Sequence, residues 1–113
     1  MAVKVPPVDL ERINNYVVFG KVLIQNWDGD SQAASARLSI FDGFVILDRS
    51  DFRLESIQYI SLSLQGTIDM EKLKNNELIV DLRCSTYNGI AKNASLIVIG
   101  VPGNIINTQI SPP

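Results

Sequence analysis

The chain has 113 residues, a formal charge of −2, a single cysteine and no histidine. This length suits one domain whose core can form without a disulfide or a metal. Charges of both signs are interspersed without a run of Lys or Arg, which gives no electrostatic footprint for nucleic acid or an anionic membrane. The absence of His removes the commonest general base, and one Cys cannot build a Cys-rich metal site, so we expect a protein that is not an enzyme.

The first 14 residues are expected to form an extended N-terminal arm. Pro6 and Pro7 favour an extended conformation in the residue before them, and a helical turn beginning at Asp9 is too short to be stable alone. The opening lacks the apolar stretch of a secretory signal, and no apolar run is long enough to span a bilayer. We therefore expect a soluble chain of undetermined compartment, compatible with an extracellular or particle assembly.

Residues 16–25 form the central strand of the predicted fold. They are apolar on both faces, with Tyr16 and Val22 on one face and Phe19 and Leu23 on the other. A half-solvated sheet instead shows alternation of apolar and polar residues. Such a strand lies either at the centre of a sandwich or against a neighbouring subunit.

A hairpin is predicted in the middle of the chain. Residues 34–41 alternate between apolar and polar, and Asp42 and Gly43 favour the positive φ angles that both central residues of a type I′ turn require. Residues 44–47 form the return strand. The polar residues 48–51 that follow are expected to be a turn, and residues 52–54 a short edge strand.

Three further strands are predicted at spacings of about ten residues. Residues 57–68 and 77–85 show the alternation of a sheet with one solvated side, whereas residues 94–101 are apolar on both faces. Together the segments predict an all-β fold, an antiparallel, jelly-roll-like β-sandwich of about seven or eight strands. The sandwich domain spans residues 15–103, and a C-terminal tail follows over residues 104–113.

Two strands that are apolar on both faces indicate that the outer face of one sheet is covered, because a two-layer sandwich leaves each strand a solvent side. The simplest cover is another copy of the chain in a closed cyclic oligomer. An Ile-rich tail folded back over the sheet is the competing explanation. The residues that we assign to the oligomer interface are Tyr16, Val18, Val22, Ile97 and Ile99.

The strand pattern resembles a known family. The segments that carry the resemblance are residues 16–22, 34–47, 81–84 and 94–99. They are similar to the small C-terminal β-sandwich heads of bacterial and phage-type proteins, which in turn look like C1q/TNF-type jelly rolls. The resemblance implies a homotrimer that displays loops for binding, with the first and last strands side by side near the threefold axis. It transfers no functional residue, and the chain lacks the aromatic-rich core and collagen-like stalk of the vertebrate members.

The loop after the first strand carries oxygen-bearing side chains at alternate positions. Asn26, Asp28 and Asp30 flank Gly29, and three such side chains can converge on a calcium ion. The later Glu of a complete calcium loop is missing. An ordinary acidic turn explains the same residues without a metal, since Asn, Asp and Gly are all favoured in turns. Both interpretations stay open, and no other cofactor is expected.

Two loops carry an aromatic residue that could bind a ligand. Trp27 lies among polar neighbours, and an exposed Trp can stack on a sugar or anchor a protein contact. In the alternative, Trp27 folds down to cap one end of the sandwich. The full set of candidate ligand-binding residues is Trp27, Asp28, Asp30, Tyr87 and Asn88.

The function predicted from these features is a non-enzymatic, trimeric β-sandwich module whose loops bind a ligand or cell surface, with glycans as one ligand class. The alternative is a structural subunit of a virion, tail or other particle. Proline-containing segments at both termini suit that alternative, because extended arms can link neighbouring subunits.

Overall fold

The computed structural model describes five stretches of the chain, residues 1–10, 12–27, 29–73, 77–86 and 89–102. These residues form two antiparallel sheets that pack face to face, so the predicted all-β sandwich is confirmed. Within the described stretches there are seven strands and two short helices. In chain order they are β1 (Ala2–Lys4), α1 (Pro7–Leu10), β2 (Asn15–Asn26), β3 (Gln32–Ile40), β4 (Val45–Leu54), β5 (Tyr59–Asp69), α2 (Met70–Leu73), β6 (Ile79–Thr86) and β7 (Gly89–Val101).

One sheet has four strands in the order β1-β6-β3-β4, and the other has three in the order β5-β2-β7. The central strand β2 pairs with β5 from Asn15 to Gln25. On its other side β2 pairs with β7 over nearly the same length, with a shift of register after Lys21. The first long strand and the last strand are therefore neighbours in one sheet, as the resemblance implies.

The core lies between the two sheets and takes one face of each strand. Val18 and Val22 of β2 point into it and are almost completely buried. Between them Gly20 has no side chain, and a Cβ there would lie 3.3 Å from Leu82 Cδ1 and 3.4 Å from Leu38 Cδ1. Two leucines of the opposite sheet thus fill the centre of the sandwich, where burial of each contributes about 1.5–3 kcal/mol.

The predicted hairpin joins β3 to β4. Phe44 N donates a hydrogen bond of 3.3 Å to Phe41 O, and the two residues between them, Asp42 and Gly43, have φ angles of 56° and 90°. Positive φ at both central positions is the signature of a type I′ turn. This prediction is confirmed.

The turn predicted over residues 48–51 is wrong, because β4 runs without interruption from Val45 to Leu54. The polar residues that suggested a turn belong to an edge strand. Arg49 forms an ion pair with Asp51 at 3.0 Å on the solvated side. Asp48 Oδ2 accepts a hydrogen bond of 3.0 Å from Gln65 N of β5. The Asp48 carboxylate thus satisfies a backbone donor of β5 in the other sheet. Charged side chains on an edge strand such as β4 also discourage its pairing with other chains.

The segment predicted to be an N-terminal arm is extended, but it pairs with the domain's own sheet. Ala2–Lys4 form β1 against β6, and Val5 is buried in the core. The helical turn begins at Pro7, two residues before Asp9, because proline at a first helical position loses no hydrogen bond. The predicted tail, residues 104–113, lies outside the described residues.

The turn between β4 and β5 contains a conformational misfit at Ile57. Gln58 N donates a hydrogen bond of 3.2 Å to Glu55 O, and Ile57 at the third turn position has a φ of 58°. That position favours Gly or Asn when φ is positive, whereas a β-branched side chain is strained there.

We predict that Ile57→Asn raises the free energy of unfolding by about 0.5–1 kcal/mol, because Asn tolerates left-handed backbone conformation. Urea denaturation of the variant and the parent measures the change. Ile57→Thr is the matched control, since it is polar but still β-branched, and it should give no gain. Equal stabilisation by both substitutions would show that the removal of exposed apolar surface, and not the backbone conformation, is responsible.

Candidate functional site

Asn26, at the end of β2, is completely buried and forms a hydrogen-bond node. Its Nδ2 donates to three backbone carbonyl oxygens, at 2.9 Å to Asp30, 2.9 Å to Glu55 and 3.4 Å to Leu54. Its Oδ1 accepts a hydrogen bond from Gln32 Nε2, which is also buried. A single amide therefore ties the end of β2 to the start of β3 and to the end of β4.

This node bears directly on the predicted calcium loop. The Asn26 oxygen that would bind the cation is directed to Gln32. Asp30 is exposed, and the atom that it gives to the node is its backbone oxygen. Asp28 lies outside the described residues. Among the residues that the structure describes, no three His, Cys, Asp or Glu side chains are grouped as a metal site requires. The calcium hypothesis stays a prediction, and the geometry gives Asn26 a structural role.

Trp27 follows the node and is 55% exposed. The Nζ of Lys92, on β7, lies 5.4 Å from the centroid of the Trp27 ring. This distance is within the range of a cation–π interaction, which holds the ring beside the three-stranded sheet. The exposed indole thus has a defined position. Of the other candidate ligand-binding residues, Tyr87 and Asn88 lie outside the described residues.

The residues assigned to the oligomer interface divide between two faces. Tyr16, Val18 and Val22 point into the core of their own chain and are buried there. They are therefore not available to a second copy. Ile97 and Ile99 lie on the outer face of the three-stranded sheet and are 52% and 47% exposed.

Two further residues complete an apolar patch on that outer face. Phe19, which is 42% exposed, is directly opposite Ile97, and the half-buried Val17 is directly opposite Ile99. We call these four residues, Val17, Phe19, Ile97 and Ile99, the outer patch. The sequence places Phe19 on the strand face opposite Tyr16 and Val22. The predicted interface used that other face of the strand, so it omitted Phe19. The period of two along β2, with Tyr16 and Val18 pointing inward, would have identified it.

Comparison with known proteins provides no relative. No protein-family model, curated protein or solved structure matches the chain. Within the described part of the chain, none of the helices has the length and apolar character needed to cross a membrane. The outer patch and the Trp27 loop are the features of the described residues that bear on function.

We predict that Asn26→Ala lowers the free energy of unfolding by about 2–4 kcal/mol, because it leaves buried carbonyl groups and the Gln32 amide without their partner. Asn26→Asp should also destabilise, since its carboxylate would face three carbonyl oxygens. Burial raises the pKa of such a carboxyl above its value in the unfolded chain, so the loss should grow as pH rises from 4 to 7. Denaturant unfolding at both pH values measures this dependence.

Melting temperatures measured with calcium and with chelator distinguish a structural role of Asn26 from calcium binding. If Asn26 has a structural role, we expect calcium and chelator to leave the melting temperatures of the parent and of Asn26→Asp unchanged. If calcium instead raises the melting temperature of the parent, and raises that of Asn26→Asp more strongly, the loop binds the cation and the structural account of Asn26 is contradicted.

Proposed function

We propose that this protein is a non-enzymatic β-sandwich module that forms a homotrimer through the outer patch and binds a ligand, such as a cell-surface glycan, at the Trp27 end. The observation that carries the proposal is the outer patch, an apolar group on a sheet face that the described residues leave exposed. Contiguous exposed apolar surface typically marks an interaction site. The trimeric state follows the resemblance to trimeric sandwich heads.

The patch has the composition expected for the centre of an interface. Its four side chains are one aromatic and three β-branched residues, and they carry no charge. Cores of interfaces are depleted in charged residues and enriched in aromatic ones. The next row along the sheet is polar, because Lys21 is flanked by Ser63 and Ser95. This row provides the polar rim that borders such a core.

The patch and the Trp27 loop are far apart on the same sheet. Phe19 lies near the start of β2, and Trp27 follows the last residue of that strand. The eight steps along the backbone from Phe19 to Trp27, at about 3.3 Å each, place the two residues roughly 26 Å apart. Self-association through the patch would therefore leave the Trp27 end free to bind.

An exposed indole held by a lysine supports a binding role for this end. Indole rings stack on the apolar faces of sugars, and Trp is enriched among residues that dominate binding energy. The Lys92 contact, worth about 0.5–1 kcal/mol at an exposed site, favours this ring position before a ligand arrives, so less conformational freedom is lost on binding.

The alternative function, a structural subunit of a virion, tail or other particle, depends on terminal arms that link neighbours. Because β1 pairs with β6 and Val5 enters the core, residues 2–5 already have partners within their own chain. This geometry favours the binding module over the arm-linked particle subunit.

We predict that Ile99→Lys converts the trimer into a monomer of 12.5 kDa, because a buried charge without a partner is incompatible with an apolar interface. Sedimentation velocity measures the mass. Ile90→Lys is the matched control, since Ile90 is 43% exposed on the same strand and outer face but lies outside the outer patch. It should remain trimeric. A parent chain that is itself monomeric would contradict the self-association and favour a tail folded over the face.

We predict that Trp27→Ala abolishes binding to any glycan that the parent captures on a glycan array, while its melting temperature changes by less than about 2 °C, because an exposed side chain contributes little to stability. Phe44→Ala is the control, since Phe44 is an exposed aromatic on the hairpin of the other sheet. Unchanged binding by Trp27→Ala would show that the ligand site lies elsewhere.

A further inference from the structure

Three arginines lie side by side across the outer face of the four-stranded sheet. Arg37 of β3 is directly opposite Arg83 of β6 on one side. On the other side it is directly opposite Arg49 of β4. Like charges directly opposite each other on neighbouring strands destabilise a sheet. A row of three is therefore an arrangement that folding alone does not favour.

The two outer arginines of this row are held by carboxylates. Arg83 pairs with Asp42 on the hairpin and, at 3.3 Å, with Asp81. Arg49 pairs with Asp51 at 3.0 Å. These contacts offset part of the repulsion and fix both guanidinium groups at the sides of the row.

The central arginine differs from its two neighbours in its contacts. Among the residues that the structure describes, Arg37 forms no ion pair, and its Nε is buried without a hydrogen bond. Its guanidinium packs against Gly43, where a Cβ would lie 2.9 Å from Nη1. A buried donor on a charged group normally has an acceptor, because its desolvation is costly. Arg37 is therefore the arginine of this row that, among the described residues, carries an unsatisfied donor and no carboxylate partner.

The row also lines a surface depression of about 310 Å³. Two serines contribute hydroxyl groups to it, and these can donate to the same ligand. The residues that line the depression are Ser35, Arg37, Arg49, Arg83, Cys84 and Ser85.

We propose that this depression is a binding site for an oxyanion group, of the phosphate, sulfate or carboxylate class, with Arg37 as its central ligand. Guanidinium groups bind such anions through pairs of parallel hydrogen bonds. An anion here would provide an acceptor for the unpaired side chain and reduce the repulsion along the row. The site is on the opposite sheet from the outer patch, so it does not depend on the proposed trimer or on the Trp27 loop.

Thermal unfolding in the presence of inorganic phosphate, sulfate or acetate tests the proposal, with sodium chloride at matched ionic strength as the reference. A bound anion stabilises the folded state by mass action, so the melting temperature of the parent should rise saturably. Phosphate and sulfate should act at lower concentrations than acetate if they contact more than one guanidinium. The order of the three salts identifies the preferred class.

Arg37→Met should weaken the response at least about tenfold, because the bidentate contact is lost. Without added anion it should be at least as stable as the parent, because the substitution relieves like-charge repulsion. Arg53→Met is the matched control, since Arg53 is exposed on the same strand as Arg49, binds Ser31 Oγ at 3.1 Å and lies outside the row. It should keep the full anion response.

The proposal is overturned if phosphate and sulfate shift the parent no more than sodium chloride does, or if Arg37→Met retains the shift. If Arg37→Met does not fold, the proposal is tested by titrating the parent with phosphate and monitoring the amide chemical shifts. Saturable changes centred on residues 35, 37, 83 and 85 support the site, whereas scattered or absent changes overturn it.

Discussion

The structure depends on a strand that is paired along both edges while its two faces are apolar. β2 forms ladders with β5 and β7 over nearly its full length, so its backbone groups are satisfied and its position is fixed. Its inner face can then form the core with the four-stranded sheet. The same alternation that directs Val18 and Val22 inward leaves Val17 and Phe19 directed outward. The outer patch is thus a direct consequence of the way in which β2 forms the core.

The two ends of β2 carry different kinds of side chain. Its first half carries the outer patch, and its last residue is the buried amide Asn26. Because Asn26 binds backbone oxygens from two other segments, the loop that begins at Trp27 starts from a rigid point. Lys92 then holds the indole from the neighbouring strand. The chain therefore has an apolar surface suited to self-association at one end and a positioned aromatic ring at the other.

Local patterns were sufficient to predict much of this fold. Asp42-Gly43 between alternating segments identified the hairpin because few residues accept two successive positive φ angles. Residues 48–51 were wrongly predicted to be a turn, because an edge strand can be as polar as a turn when a cross-sheet hydrogen bond and an ion pair satisfy its side chains.

The pairing of β1 with β6 joins segments far apart in the sequence, and local periodicity contains no information about it. The arginine row depends on the register of three strands, so spacing along the chain could not reveal it. The structural roles of Asn26 and Gln32 could not be predicted for a different reason. Amide side chains are common in turns, so the sequence does not distinguish a buried amide from a turn residue.

The two outer faces of the sandwich differ in character, one apolar around Phe19 and the other carrying arginines, two of them paired with carboxylates, around Arg37. The central claim of our account is that a second copy of the chain covers the apolar face. The most direct test is an isotope-filtered nuclear Overhauser experiment on a mixture of methyl-labelled and unlabelled chains, which detects contacts between different molecules. Our account predicts intermolecular contacts from the methyl groups of Ile97 and Ile99 in a particle of three times 12.5 kDa. A monomer in which these methyl groups give no intermolecular contact would contradict it.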